Sequence, residues 1–452
     1  VSGTGTRIAS ISGLRGVIGD GLDPAAVVEF AAAYASECEP GPIVVGHDGR
    51  TSAPMFAAAV QSGVIATGHD VLFAGPAATP TIGVLVREMR ASGGIQISAS
   101  HNPPKYNGLK FFQPAGMVLN ASQGKRMLDR FSRREFRWAK WDALGRMCSI
   151  DRPDDAHLAK ILAIVDASAI SRAAIPVVLD ACHGAGGRLG QRLLRELGCQ
   201  PLLLGAQPDG VYDHTPEPTE ENLESFARIV QAAGAAVGFA QDPDADRLAI
   251  IDETGRYIGE ELTLGLAAHV RLGQVRGPVV VNLSTSRVTE ELCRPLGCPV
   301  LRTPVGEINV VERMLAESAV LGGEGNGGVI DPRVGYVRDS FVAMALVLEL
   351  LATTGQSLSK LVDQLPRFAM VKNKYPLGSS VADVGALWDR IARAYPAAAA
   401  DRRDGLRLDW SDRWVQVRAS NTEPIVRVIA ESADLADARA LADEIGRFVL
   451  AA

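Results

Sequence analysis

The sequence predicts an α/β fold divided among several domains, and three observations carry that expectation. Short apolar strands alternate with helical stretches from about Pro24 to Gln364, a spacing that argues for mostly parallel sheets. The chain has 452 residues, whereas a single core rarely grows beyond ~250–300 residues, so two to four domains are expected. Its 47% hydrophobic and 22% charged residues are ordinary for a soluble globular protein.

Composition also excludes function classes. A net charge of −6 supplies no basic field for nucleic acid or anionic lipid, so any phosphate binding must be local. Six cysteines, Cys38, Cys148, Cys182, Cys199, Cys293 and Cys298, lack the paired spacing of a zinc site and read as reduced thiols. The stretch Val1-Ser2-Gly3-Thr4-Gly5-Thr6-Arg7 has no apolar leader. The longest apolar run, 341–352, contains Glu349 and is too short to span a bilayer. A cytoplasmic protein without membrane or nucleic-acid partners is expected.

The first element with chemical interest is the glycine-punctuated loop Ile11-Ser12-Gly13-Leu14-Arg15-Gly16-Val17-Ile18-Gly19, where Arg15 could meet a phosphate with two parallel hydrogen bonds. A helix over 24–36, a strand over 43–46, a helix over 55–67, a strand over 71–74 and a helix over 80–89 follow. They lead to Gly94–Ser98, a buried strand in which Ile95 and Ile97 alternate with Gln96 and Ser98. The next segment, Ser100-His101-Asn102-Pro103-Pro104, cannot be helical, because the prolines remove two donors and push Asn102 out of the α region. Residues 109–112 resume as the returning strand of a hairpin. The loop is stiff, and it concentrates Ser100, His101, Asn102, Lys105 and Lys110 near one point.

Residues 149–153 read as a linker into a second α/β unit, with a helix over 156–167 and a strand over 176–180. The turn Cys182-His183-Gly184-Ala185-Gly186-Gly187 precedes a helix over 188–197. It lacks the lysine and hydroxyl of a P-loop and the dinucleotide spacing, so a structural role is expected. Pro208-Asp209-Gly210 and Pro216-Glu217-Pro218 form a rigid loop before a helix over 223–233. An apolar strand from Val237 then delivers Asp242-Pro243-Asp244-Ala245-Asp246-Arg247 before a second strand leaves. Three carboxylates at alternate positions repel one another unless a cation joins them, and a hard divalent ion such as Mg²⁺ is the natural partner.

A third unit contributes helices over 260–271, 288–295 and 307–317, with strands over 279–283 and 300–303. The loop Gly323-Glu324-Gly325-Asn326-Gly327-Gly328 places a carboxylate and an amide among glycines, a combination suited to sugar hydroxyls. Helices over 341–352 and 358–364 close that unit. Residues 366–376 read as a linker into a shorter C-terminal domain with strands over 414–418 and 425–431 and a helix over 435–450. Between those strands, Arg418, Ser420, Asn421, Thr422 and Arg427 form a dense donor set for a dianionic phosphate.

Together these stretches resemble the α-D-phosphohexomutase family, which includes phosphoglucomutase/phosphomannomutase and phosphoglucosamine mutase. Ser100-His101-Asn102-Pro103-Pro104 looks like the phosphoserine loop, Asp242 to Arg247 the metal loop, Gly323 to Gly328 the sugar loop, and Arg418 to Arg427 the phosphate-binding loop. The resemblance implies three related α/β domains with mixed sheets, over 1–149, 150–253 and 254–365, and a smaller α+β domain over 366–452, all around a central cleft. It implies that Ser100 carries the phosphoryl group and that Mg²⁺ is held by that group with Asp242, Asp244 and Asp246. Lys110 and His101 would assist proton transfer and orient the phosphoserine, with Arg15 and Arg247 nearby. Glu324 and Asn326 would hold sugar hydroxyls, while Arg418, Ser420, Asn421, Thr422 and Arg427 would grip the distal phosphate. The implied reaction interconverts hexose 1-phosphate and hexose 6-phosphate through a hexose 1,6-bisphosphate, in a monomer or homodimer.

Two departures from the family pattern stand out. Many members end the sugar loop Ser-Gly-His, where this chain has Asn326-Gly327-Gly328, so the usual second acid/base candidate is absent. Pro243 and Ala245 occupy metal-loop positions where glycine is common. A Mg²⁺-dependent sugar phosphatase using the same serine is the alternative, although a hydrolase has little use for a distal-phosphate grip. A non-catalytic sugar-phosphate sensor would not need Ser100, Lys110 and all three aspartates.

Overall fold

The computed structural model describes residues 7–10, 13–376, 384–419 and 425–451. Four sheets organise the chain, and three of them repeat one motif. In the first sheet, of eight strands, Ile43–His47 pairs in parallel with Val71–Pro76 and Gly93–Ile97, and Gly93–Ile97 pairs antiparallel with Tyr106–Phe112. In the second, Pro176–Asp180 lies in parallel between Gln200–Leu204 and Val237–Gln241, which turns back antiparallel into Leu248–Asp252. The third repeats this with Val279–Asn282 between Val300–Thr303 and Leu321–Glu324, followed by antiparallel Gly328–Ile330. Each repeat ends in a hairpin, and the three hairpin turns, 98–105, 242–247 and 325–327, carry the chemistry.

The strands feeding these turns are buried along their lengths, as expected where helices cover both faces of a sheet. The helix Ser340–Thr354 is apolar all round and is buried from Ser340 to Leu351. It helps fuse the second and third units into one core that contains Leu179, Phe239, Val281, Val329 and Phe341. A buried relay ties in the first unit: Thr81 Oγ1 lies 2.9 Å from His157 Nδ1, and His157 Nε2 lies 2.7 Å from Asp339 Oδ2. These contacts link the units that carry the three turns.

The fourth sheet is wholly antiparallel, in the order Ala369–Pro376, Ile425–Ser432, Arg413–Ala419, Leu406–Asp409, Ala399–Asp401. It docks on the third unit through polar contacts. Ser284 Oγ donates to Gln416 Oε1 at 2.6 Å, Val305 N donates to Asp404 Oδ2 at 2.9 Å, and the Arg407 guanidinium reaches the Leu283 carbonyl.

Three expectations about elements are corrected. Residues 366–376 are not a plain linker: Ala369–Pro376 is an edge strand whose exposed Lys372, Lys374 and Pro376 alternate with half-buried Val371, Asn373 and Tyr375. Lysines and a terminal proline suit a strand with one open edge. The linker read at 149–153 begins too early, because Met147–Ser149 extends the first sheet in parallel with Val71–Phe73. The single helix expected over 156–167 is two, Asp155–Leu162 and Ala167–Ala173. Asp166 restarts the helix by accepting from Ala169 N at 2.8 Å.

Candidate active site

Ser100 sits at the tip of the first hairpin with φ of 52°, in the left-handed region. That conformation costs a non-glycine residue ~1–2 kcal/mol, so the surroundings must impose it. Ser100 N donates to Ser98 Oγ at 2.8 Å. From the opposite side the buried Arg50 donates to the carbonyls of Pro103 at 3.0 Å, Tyr106 at 3.1 Å and Ser100 itself. Asp48 Oδ2 anchors Arg50 Nε at 2.9 Å. So fixed, Ser100 Oγ donates to Asp242 Oδ2 at 2.6 Å, and His101 Nδ1 lies 3.3 Å from Ser100 Oγ.

The second hairpin brings Asp242, Asp244 and Asp246 together, all fully buried, with candidate ligand oxygens within 4.8 Å of one another. Asp242 Oδ1 accepts from the backbone N–H groups of Asp246 and Arg247, each at 3.1 Å, which closes the turn. Lys110 Nζ donates to Asp244 Oδ2 at 2.5 Å and to Asp246 Oδ2 at 3.0 Å, and Thr79 Oγ1 also donates to Asp244 Oδ2 at 2.5 Å. The turn at 182–187, expected to be structural, supports this loop, with Ala185 N donating to the Pro243 carbonyl at 2.8 Å.

The third hairpin is stitched to the second, since Leu248 N donates to the Gly327 carbonyl at 3.0 Å. Glu324 is buried; its Oε1 accepts from Asn282 Nδ2 at 2.8 Å and Gly306 N at 3.1 Å. Asn326 Nδ2 lies 3.5 Å from Glu324 Oε2. Arg338, just before the buried helix, spans the two loops: Nη2 donates to Asp246 Oδ2 and Nη1 to Glu324 Oε2, each at 2.6 Å.

Charge balance explains the protonation states. Burial alone would raise Asp246, but Arg338, Lys110 and Arg247 hold it far below the usual carboxylate range. Burial also opposes ionisation of Lys110, yet Asp244 and Asp246 keep its pKa above the ordinary value. Asp242 goes the other way: burial, Asp246 and Asp244 push it well up. Burial, with Arg247 and Arg15 close by, holds His101 well below 6.5. Arg15, expected in a loop, lies in the strand Gly13–Ile18 opposite Gly108 of the strand that returns from Ser100, and burial and the nearby Arg247 lower its pKa. Arg247 Nε lies 3.8 Å from Asp246 Oδ1.

The C-terminal candidates are less completely placed. Arg418 and Arg427 stand opposite each other in the antiparallel ladder. Two like charges at such a position are unfavourable unless an anion joins them. Arg418 Nε lies 3.7 Å from Asp404 Oδ1. No hydrogen bond or ion pair among the described residues connects Arg418 to the Ser100 cluster. Ser420, Asn421 and Thr422 lie outside the described residues.

Comparison with known proteins agrees with this geometry. The sequence matches phosphoglucomutase/phosphomannomutase alpha/beta/alpha domain I over residues 7–138, domain II over 155–255, domain III over 259–368 and the C-terminal domain over 377–447. It is 37% identical to a phosphoglucomutase/phosphomannomutase from Thermococcus kodakarensis over 93% of each chain. The chain belongs to the phosphoglucomutase/phosphomannomutase family. It is also 34% identical to a Methanopyrus kandleri protein named probable phosphoglucosamine mutase, over 96% of this chain and 95% of that one. The crystal structure of a phosphoglucomutase/phosphomannomutase family protein from Burkholderia thailandensis superposes with a TM-score of 0.85 at 27% identity, covering 98% of this chain and 97% of that one. The four-domain phosphohexomutase architecture is therefore that of the family, whose activity is of the isomerase class.

The aspartate loop fits the divalent ion that phosphohexomutase chemistry calls for. Asp244 Oδ1 and Asp246 Oδ1 are buried without a hydrogen-bond partner. Buried carboxylate oxygens in that state are unusual, and an all-oxygen donor set suits Mg²⁺.

Sequence reasoning missed Arg338, Thr79, Arg50 and Glu307 as members of the site. Asp48 and Arg50 lie in a polar turn after a strand end, a position that favours function. Arg338 is the lone cation between Val337 and the helix-capping Asp339, directly before an apolar helix. Thr79 and Glu307 carry no comparable local signal.

Proposed function

We propose that this protein is a phosphohexomutase that moves a phosphoryl group between the 1- and 6-positions of a hexose phosphate through a phosphorylated Ser100. The observation that carries the reading is the 2.6 Å contact of Ser100 Oγ with Asp242, at a buried triad suited to Mg²⁺. Asp242, Asp244 and Asp246 would hold the ion together with the Ser100 phosphate, and when bound it would neutralise charge on the phosphoryl oxygens.

The chain's own groups supply the remainder. The phosphate of Ser100 passes to the sugar hydroxyl: the bond to Ser100 Oγ breaks as the bond to the sugar oxygen forms, giving a hexose 1,6-bisphosphate. The proton released by the sugar hydroxyl ends on the departing Ser100 Oγ, and Lys110 and His101, whose Nδ1 lies 3.3 Å from that oxygen, assist the transfer and orient the phosphoserine. Phosphoryl transfer depends chiefly on positioning and charge stabilisation, which Lys110, Arg15 and Arg247 provide. Glu324 and Asn326 hold sugar hydroxyls, while Arg418 and Arg427, with Ser420, Asn421 and Thr422, bind the phosphate that is not reacting. After the bisphosphate turns over in the cleft, its other phosphate returns to Ser100.

The relatives' names include both phosphoglucomutase/phosphomannomutase and phosphoglucosamine mutase. The test is a coupled assay with Mg²⁺ and catalytic glucose 1,6-bisphosphate, running the 1-phosphates of glucose, mannose and glucosamine in parallel. Formation of a 6-phosphate that disappears in Ser100→Ala supports the mutase and ranks its substrates. Release of inorganic phosphate without isomerisation would sink it in favour of a phosphatase.

A further inference from the structure

Gly328 begins the strand that returns from the sugar loop and stands opposite Glu324 in the ladder. Its backbone is extended, so conformation does not require glycine there. Space does. A Cβ at 328 would lie 2.3 Å from Cδ of Arg338, 2.8 Å from its Cγ and 3.2 Å from its Cβ. Such contacts are cheap only when the neighbour can swing away, and Arg338 cannot. Its guanidinium is hydrogen-bonded to Asp246 and Glu324 at 2.6 Å each, and its Nε lies 2.9 Å from Glu307 Oε2. Arg338 faces three carboxylates, and burial pushes one of them, Glu307, up to about 7.

We infer that Arg338 is a clamp between the metal loop and the sugar loop, and that position 328 is glycine to admit it. This rests on the mutase reading and adds a positioning residue to it. Arg338 is a fixed cation that clamps the metal-loop carboxylate Asp246 to the sugar-loop carboxylate Glu324. One side of Asp246 is thereby satisfied, leaving its Oδ1 for an ion. Glu324 is held for the sugar by the same guanidinium. The clamp opposes Mg²⁺ electrostatically while preparing the sugar site, so its two effects have opposite signs.

The test uses Arg338→Ala, Gly328→Ala and the double variant, with Mg²⁺ and glucose 6-phosphate affinities read by calorimetry. Removing the cation beside the triad is expected to tighten Mg²⁺ by about threefold or more, because like-charge repulsion falls. Loss of the charge-assisted clamp is expected to weaken glucose 6-phosphate by about tenfold or more. Gly328→Ala shifts both affinities the same way by displacing Arg338, and the double variant is no worse than Arg338→Ala alone. A Gly328→Ala enzyme that binds both ligands like the wild type overturns the proposal. So do additive effects, or an Arg338→Ala enzyme that weakens both ligands, the mark of a merely structural residue. If Gly328→Ala fails to fold, the double variant must fold; failure of both places the clash elsewhere and also overturns it. A wild-type protein that binds no hexose phosphate sinks the mutase reading instead, and the Mg²⁺ measurement still judges the clamp.

Discussion

Ser100 Oγ and Asp242 Oδ2 meet at 2.6 Å although 142 positions separate them in the chain. Each lies at the tip of a hairpin that ends one copy of the same sheet motif. The contact exists because both tips are braced from behind: Arg50 grips the serine loop, and the 182–187 turn supports the aspartate loop. The phosphoryl-carrying candidate and the candidate metal ligands thus belong to different domains, and the site forms only where those domains are packed.

Neutralising Asp242 is expected to separate stability from function. Burial and its two aspartate neighbours raise its pKa, so Asp242→Asn relieves repulsion and raises the melting temperature of the metal-free protein. The same variant loses stabilisation by Mg²⁺, which at 100 times its Kd amounts to about 2.7 kcal/mol in a competent site. Thermal melts with and without Mg²⁺ measure both. A wild-type protein that Mg²⁺ does not stabilise would contradict the assignment.

Arg50→Met leaves Asp48 as an uncompensated buried carboxylate, since Arg50 is 2% exposed and Asp48 0%. Breaking such a pair costs about 3–5 kcal/mol, visible in urea unfolding. Turnover is expected to fall as well, because the Ser100 carbonyl loses its anchor.

Arg418→Ala removes one of two arginines that face each other across the ladder. Hydrogen bonds to a charged group contribute ~1.5–3 kcal/mol, so KM for a hexose phosphate should rise about 10- to 100-fold. Unfolding stability should change by no more than about 1 kcal/mol, since the only ion pair of Arg418 among the described residues is the partly exposed 3.7 Å contact with Asp404. An unchanged KM would remove Arg418 from the phosphate grip.

His214 offers a test by pH. Its Nε2 lies 3.0 Å from Asp180 Oδ2 and its Nδ1 2.8 Å from the Thr215 carbonyl, so both nitrogens face acceptors and the pKa is raised above 6.5, chiefly by Asp180. A raised folded-state pKa adds stability that is fully present below the unfolded value and is lost as pH rises through the folded one. The advantage of wild type over His214→Asn should therefore be larger at about pH 5.5 than at about pH 9, and it should stay within roughly 1 kcal/mol for this partly exposed pair. Denaturant titrations at the two pH values decide it; a pH-independent gap would contradict the ion pair.

Much of this was legible in the sequence because the site is built from contiguous loops. The prolines after Ser100, the alternating aspartates and the glycine-flanked Glu324 each announce their chemistry within a few residues. What brackets those loops was not legible. Arg50, Thr79, Glu307 and Arg338 act on groups far away in sequence, and only packing reveals the partner. The edge strand Ala369–Pro376 was hidden for a related reason: it pairs on one side, with Ile425–Ser432, so its outer face keeps a polar, linker-like composition.

The most direct test of the account is to incubate the dephosphorylated protein with Mg²⁺ and glucose 1,6-bisphosphate and to follow the phosphoryl group by mass spectrometry. The account predicts one phosphoryl group on Ser100, formed together with a glucose monophosphate, absent in Ser100→Ala and returned to the sugar when a hexose monophosphate is added. A modification at another residue, or transfer of the group only to water, would contradict it.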